Sequence, residues 1–227
     1  MGCICNLRVR QWAAIRVAGS DGRQEVFGQA SGEDAIPSGI RRRMGRLERL
    51  AVRCTLGVLG NEATAELIFC SRYGNIETLG SLLRSITEAQ PMSPMAFSGS
   101  VHNAAPGLVG QIRKECLSHT ALAAGTHTFA AGLIESYARL VADKCQNVTL
   151  TFADLVLPDL YREFEEEREP GLAMAMRLEL PDEGSDQDTS VVAVRPGRQG
   201  AFEVMEKLKN GAGQLTLGEV PWATPRP

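Results

Sequence analysis

The chain has 227 residues, 44% of them apolar, enough for one large domain or two small ones around a sizeable core. Its 24 basic and 27 acidic residues leave a net charge of -3, far from the strongly basic balance of a dedicated nucleic-acid binder. No apolar run approaches the roughly 20 residues of a membrane span, the opening MGCICNLRVRQW lacks an apolar run of signal-peptide length, and Asn6 stands where a myristoylation signal needs Ser or Thr, so a cytoplasmic protein is expected.

In chain order, residues 7–17 (LRVRQWAAIRV) alternate loosely and predict a strand or extended chain. Residues 18–40, rich in Gly, Ser, Asp and Pro, predict a loop. Met44, Leu47, Ala51, Cys54 and Val58 recur at helical spacing with Leu50 beside them, so 41–58 reads as an amphipathic helix with its arginines on the wet side. Residues 65–69 predict a short buried strand. Leu79, Leu82, Leu83 and Ile86 form a second helical stripe that ends before a turn at 92–94. A short helix is expected over 104–112, its start limited by Pro106.

Residues 113–120 read as a strand and 123–142 as the strongest helix, with Phe129, Leu133, Ile134, Tyr137, Leu140 and Val141 along one side. NVTLTF at 147–152 is a clear strand. An exposed acidic helix or turn at 159–169, a strand at 172–180, a polar loop at 181–188, a strand at 190–194, a short helix at 201–208 and an irregular tail around Trp222 complete the chain. Strands alternate with helices, which predicts one α/β domain over 1–227, with a largely parallel mixed sheet, flanking helices and no internal repeat.

Six cysteines stand at 3, 5, 54, 70, 116 and 145. Only Cys3 and Cys5 are close, and a C-x-C pair alone lacks zinc spacing. The others sit in apolar surroundings, as reduced buried thiols do. With three histidines and no second cysteine cluster, neither a metal site nor a cofactor is expected.

Two stretches carry more specific information: SPMAFSGSVHNAAPGLV at 93–109 and HTALAAGTHTFAAGL at 119–133. Together they resemble the N-terminal half of the β-ketoacyl synthases. Ser93, Pro94, Asn103 and Gly107 fall at the spacing of that family, and Thr120, Ala121, Gly125 and His127 match its nucleophile segment without a gap. The family's cysteine falls on Leu122. RRRMGRLERLA (41–51), FCSRYGNIETLGSLL (69–83) and VTLTFADLVLP (148–158), with Asp154 near the usual acidic position, extend the resemblance over residues 7–180. The combination is most similar to the short ketosynthase-like chain-length factors that accompany full ketosynthases in bacterial aryl-polyene-type clusters.

The resemblance implies the N-terminal half of a thiolase-like fold. It also implies a missing nucleophile, because Leu122 has neither a lone pair nor an ionisable proton. The family places its thiol at a helix N-terminus, where the dipole lowers the pKa and N–H groups hold the oxyanion. It takes two further histidines from a C-terminal half that this chain lacks. A non-catalytic subunit is therefore expected, forming a heterodimer with a full-length β-ketoacyl synthase in polyketide, aryl-polyene or fatty-acid-like synthesis. The strand at 113–120 would pair across the interface, and a half-fold would leave one helix layer partly uncovered. An acyltransferase using Cys116 or another non-standard nucleophile, and a homodimeric acyl-binding scaffold, are the alternatives.

The polar residues also carry plain structural readings. His127 reads as a packed, hydrogen-bonded histidine, His102 with Asn103 as a turn-stabilising pair, and His119 as a strand end. Asp154 caps or braces a strand end, and Glu163–Glu169 is a solvated face. Arg41, Arg42, Arg43, Arg46, Arg49 and Arg53 form a basic cluster. It either steers an acidic acyl carrier protein or is an ordinary exposed helix face balanced by Glu48.

Overall fold

Strand β1 (Cys5–Ala18) runs for 14 residues, about 46 Å at the usual rise of a strand, and is long enough to carry two partners in tandem along one edge. The computed structural model describes residues 5–18, 22–62, 66–116, 118–142, 145–165, 170–182, 189–192 and 197–217. On one edge of β1, its first residues pair with β8 (Gln214–Leu217) and its last with β2 (Arg23–Gly28). On the other edge lies β6 (Gly171–Glu179). With β3 (Glu66–Cys70), β4 (His119–Leu122), β5 (Val148–Asp154) and β7 (Thr189–Val192), these strands form one sheet in the order β4-β3-β5-β6-β1-β8-β7, with β2 on β1.

The sheet is mixed, as expected. β4-β3, β3-β5 and β7-β8 are parallel, while the pairs in the middle are antiparallel. The antiparallel share is larger than alternation suggests, because β5 returns to β6 through a loop and a short 3-10 helix (Asp159–Phe164) instead of a crossover helix.

Helices flank both faces: α1 (Ser38–Arg41), α2 (Arg46–Leu59), α3 (Ile76–Thr87), α4 (Pro94–Ser100), α5 (Ala104–Arg113), α6 (Thr128–Val141) and α7 (Gly197–Lys209). The side-chain period of two divides the sheet cleanly. Ile68, Leu150, Phe152, Leu172, Met174 and Met176 are large and pack with α6 and α7. Ala153, Ala173 and Ala175 alternate with them and face α2, beside buried Thr149 and Thr151. A bulge between Val9 and Gln11 shifts the parity of β1, so Leu7 and Val9 before it and Trp12 and Ala14 after it face the same side. This is why the alternation of 7–17 is loose in the sequence.

Small residues let α2 approach the sheet closely. Cys54 Sγ lies 3.4 Å from the Ala173 carbonyl oxygen, and the Thr55 and Thr151 hydroxyls are 2.8 Å apart. The expected stripe Leu47, Leu50, Ala51, Cys54 and Val58 meets the sheet. Val52 and Leu59, on the opposite side, are buried under Ile36, Met44 and Val109. α2 is therefore enclosed along most of its length, its wet side reduced to exposed Arg46 and half-buried Arg49, and it begins at Arg46 rather than at 41.

Other boundaries differ for local reasons. Within 18–40, β2 pairs with β1, but its exposed positions left no apolar alternation to read. The 92–94 turn leads into α4: Pro94 occupies its first turn, and the Ser93 hydroxyl accepts the Ala96 N–H at 3.3 Å. The α3 stripe buries only Leu82, because α3 packs chiefly on α4 and leaves Leu79, Leu83 and Ile86 exposed. The strand expected over 113–120 is His119–Leu122, since Arg113 ends α5. His119 accordingly begins a strand rather than ending one. Part of the tail forms β8. The rest of the tail with Trp222, the 183–188 loop, 193–194, Cys3 and Glu166–Glu169 lie outside the described residues. Among the described residues no helix is long and apolar enough to cross a membrane.

Gly57 marks the closest crossing over α2. A Cβ there would stand 1.8 Å from the Gln29 carbonyl oxygen and 2.8 Å from Ser31 N. Alanine favours a helix over glycine by about 1 kcal/mol, but backbone on both sides cannot give way. Gly57→Ala is expected to lower stability by about 3 kcal/mol, read as a fall in the urea midpoint; an unchanged or higher midpoint would mean that the crossing is not a fixed contact.

Candidate functional site

β3 has β4 on one side and β5 on the other, so the chain reverses direction across the sheet at β3. In open α/β sheets, crevices form at the carboxyl ends of strands at such a point. Here that end is built around Asp154, the last residue of β5, which is 2% exposed. Its carboxylate accepts from the Ser71 hydroxyl at 2.8 Å, from the Arg72 N–H at 3.0 Å and from the Tyr73 N–H at 3.2 Å. Ser71 Oγ in turn accepts the Gly74 N–H at 2.8 Å. Burial raises the Asp154 carboxyl above 3.8, against the opposing pull of these hydrogen bonds and of Arg198. Asp154 is thus a brace for the turn that follows β3, the second role its sequence position allowed, and its lone pairs are committed to that turn.

The 93–109 motif packs against the same turn. His102 Nε2 lies 2.8 Å from the Ser71 carbonyl, to which only an N–H can donate, and its ring meets Phe69 edge-on at 5.6 Å. Asn75 caps α3 by accepting the Thr78 N–H at 3.3 Å. Its amide donates to Glu48 on α2 and, at 3.2 Å, to the Gly99 carbonyl on α4. Asn103 flanks the start of α5 with no side-chain cap bond, and Gly107 is exposed with open space around it.

Leu122 is the last residue of β4, half-buried against the core beneath α6. The helix expected from 123 begins only at Thr128. Gly125 takes the left-handed conformation at φ 57°, and Gly125–His127 forms one 3-10 turn. The Thr128 hydroxyl secures this turn, donating to the Gly125 carbonyl at 2.7 Å and accepting the Ala124 N–H at 2.9 Å. Leu122 therefore lies a turn ahead of the helix N-terminus. Thr120 Oγ1 accepts from Arg139 at 3.0 Å, and Arg139 is also paired with Glu66 and Glu135, which ties α6 to β3 and β4. Ala121 packs on the α2 side, and His127 closes the 3-10 turn half-buried.

α7 and the 3-10 segment cover the crevice. Arg198, 5% exposed, pairs with Glu165 at 2.6 Å and donates to the Leu155 carbonyl at 3.1 Å. Beneath them, among Arg72, Thr126, Thr128 and Asp154, the remaining cavity is 20 Å³, room for about one water. Glu165 departs from the solvated face expected over Glu163–Glu169, because Arg198 draws it inward; that pairing, like the role of Ser71, depends on a partner far along the chain.

Burial pushes the Cys54 thiol up to about 12 and Cys70 well above its usual value, so neither is a thiolate at neutral pH. Cys116 is exposed in the loop after α5 and makes no hydrogen bond among the described residues. Among those residues no group of three His, Cys, Asp or Glu stands ready for a metal. Arg42, Arg43 and Arg46 are exposed and Arg41 is partly so, whereas Arg49 is half-buried and Arg53 is 8% exposed. Arg53 leaves the wet face because the segment after β2 crosses it: Arg53 donates to the Ser31 carbonyl at 2.9 Å and to Gln24 at 2.8 Å.

Burial also raises the Glu48 carboxyl above 4.5, opposed by hydrogen bonds from backbone N–H groups and from Asn75. A carboxyl harder to ionise when folded leaves stability greatest below about 4.5 and lowers it as pH rises through the folded pKa. Glu48→Gln keeps an acceptor for Asn75 and has no proton to lose. It should match the parent near pH 4 and unfold at higher urea near pH 7. A lower midpoint than the parent at pH 7 would contradict this.

The architecture has known counterparts. One is a chain of the ketosynthase ApeO in complex with its chain length factor ApeC from Xenorhabdus doucetiae, at TM-score 0.67 and 22% identity, over 81% of this chain and 85% of that one. A chain of the ishigamide ketosynthase/chain length factor matches at TM-score 0.57 and 15% identity, over 80% of this chain and 63% of its own length. A β-ketoacyl synthase from Burkholderia phymatum STM815 matches at TM-score 0.58 and 12% identity, over 80% and 60%. No curated protein matches by sequence. The sequence profile of the beta-ketoacyl synthase N-terminal domain matches residues 11–215, nearly the whole of the sheet and its flanking helices, and the chain therefore belongs to the β-ketoacyl synthase family.

Proposed function

We propose that this chain is a non-catalytic ketosynthase-like subunit, a chain-length factor, that pairs with a full-length active β-ketoacyl synthase in polyketide, aryl-polyene-like or fatty-acid-like synthesis. The observation that carries the reading is Leu122. Thr120, Ala121, Gly125 and His127 keep the family's spacing around it, yet its side chain has no atom that can attack or hold an acyl group. The crevice beside it is braced and nearly filled, and the nearest exposed thiol, Cys116, lies on a different loop.

Two surfaces support pairing with a ketosynthase. The outer edge of β4 pairs with no strand among the described residues, and such an edge is a ready template for a strand from another chain. On α3 and α4 and the residues flanking them, Leu79, Leu83, Ile86, Met95, Phe97 and Val101 are between 39% and 62% exposed, an apolar area of the kind that interfaces cover. Two of the similar structures are named as ketosynthases with chain length factors, which makes a ketosynthase the occupant to which this surface is assigned. The outward guanidiniums of Arg41, Arg42, Arg43 and Arg46 are the proposed contact for an acidic acyl carrier protein.

The test is co-expression with a β-ketoacyl synthase encoded nearby, followed by size-exclusion chromatography with light scattering. A 1:1 complex is expected, with Leu83→Glu combined with Phe97→Glu weakening it at least tenfold. Arg42→Glu combined with Arg43→Glu should leave the complex intact but weaken carrier-protein binding, more at low salt than at high salt. A folded chain that elutes alone beside every such synthase would end the chain-length-factor reading.

A further inference from the structure

Three arginines of α2 do something that an exposed helix face does not. Arg46, Arg49 and Arg53 line one side of a concave cavity of 410 Å³, with Gly22, Gln24 and Glu33 on the other walls. This volume lies in the range of small-molecule sites, roughly 300–1,000 Å³. The cavity lies beside the first part of α2, with Gln24 of β2 in its wall, and is separate from the Asp154 crevice, with which it shares no lining residue.

The charge in it is not neutralised. Elsewhere in the chain Arg10, Arg16, Arg113, Arg139, Arg177 and Arg198 each lie within 4 Å of a carboxylate oxygen. Arg46, Arg49 and Arg53 have no such partner among the described residues. Their hydrogen bonds go to the carbonyls of Gly22, Met44 and Ser31 and to the Gln24 side chain. A guanidinium carries five donors, so most of theirs remain unused. Arg49 Nε is buried with no acceptor.

Holding three cations along one helix without a counter-charge costs stability by mutual repulsion, and Arg53 is also 8% exposed and so stripped of most of its water. Among the described residues Glu33 is the only carboxylate on the cavity wall. Three positive charges against one negative leave two in excess. The cavity also lies along the first two turns of α2, where the helix dipole is positive.

We propose that this cavity is a binding site for a small organic phosphate monoester. At neutral pH such a group carries nearly two negative charges and several strong acceptor oxygens, which matches both the excess charge and the unused donors. Guanidinium forks suit phosphate better than ammonium groups do, and this cluster is all arginine. A lone carboxylate would leave one of the excess charges unmatched. The remaining volume takes the organic part of the ligand against Leu50, the apolar residue of the lining. The site needs no partner subunit, so it stands or falls apart from pairing with a ketosynthase.

The test uses the full chain and phenyl phosphate as probe, in isothermal titration at constant ionic strength maintained with chloride. One site per chain with Kd below 1 mM is expected, together with a rise in Tm that grows with probe concentration. Arg49→Gln should weaken binding at least tenfold. Arg46→Gln, at an exposed position where folding is not at stake, should weaken it several-fold. Arg43→Gln, outside the cavity, should bind as the parent does. Absence of saturable binding at matched ionic strength would overturn the proposal, as would equal binding by folded Arg46→Gln and the parent.

Discussion

The close approach of α2 to the sheet is the contact on which the rest of the structure depends. It is possible because β5 and β6 present alanines and threonines on that face and keep their leucines, methionines and phenylalanines for the other. A helix seated so low buries Glu48, Arg53 and Thr55 almost completely. Its polar residues must therefore find partners within the fold. Glu48 takes Asn75 and so draws in α3 and α4, Arg53 takes Ser31 and Gln24 and so draws the segment after β2 across the helix, and Thr55 bonds back to Ala51 and to Thr151. The loops around α2 are ordered by these demands as much as by apolar contact.

The same economy shapes the crevice at the strand ends. It holds a carboxylate consumed by a turn, a histidine bonded to a backbone carbonyl and an arginine–glutamate pair drawn over the opening. The residues of the two stretches that resemble the family's motifs serve local structure here. Ser93 and Pro94 start α4, Gly125 supplies the one left-handed residue that the turn after β4 requires, and Thr120 anchors Arg139. These residues are held by local geometry, so they fit the proposed non-catalytic role without any reacting atom.

Much of this was legible in the sequence where local rules decide. The large-residue face of β5, the stripe of α2 and the Ser-Pro start of α4 follow from period, spacing and capping. Other features depend on distant partners. The bulge at Val9–Gln11 hides the period of β1, β2 is too exposed to show one, and Arg53 reads as a surface residue until the chain folds over it. α3 shows the opposite failure. Its apolar stripe is real, but Leu79, Leu83 and Ile86 face away from this chain's core, and a single sequence cannot say which molecule they meet. The arginine cavity was visible only as a run of basic residues, since its concavity comes from Gly22, Gln24 and Glu33, brought in from other segments.

The central claim is that this subunit shapes acyl-chain synthesis without carrying the chain itself. Intact-mass measurement of this chain purified with the proposed ketosynthase partner, after incubation with an acyl donor on its carrier protein, tests this most directly. The account predicts that the acyl mass appears on the ketosynthase partner alone and that this chain stays at its unmodified mass. A thioester-linked acyl group on this chain, released by hydroxylamine, would contradict it.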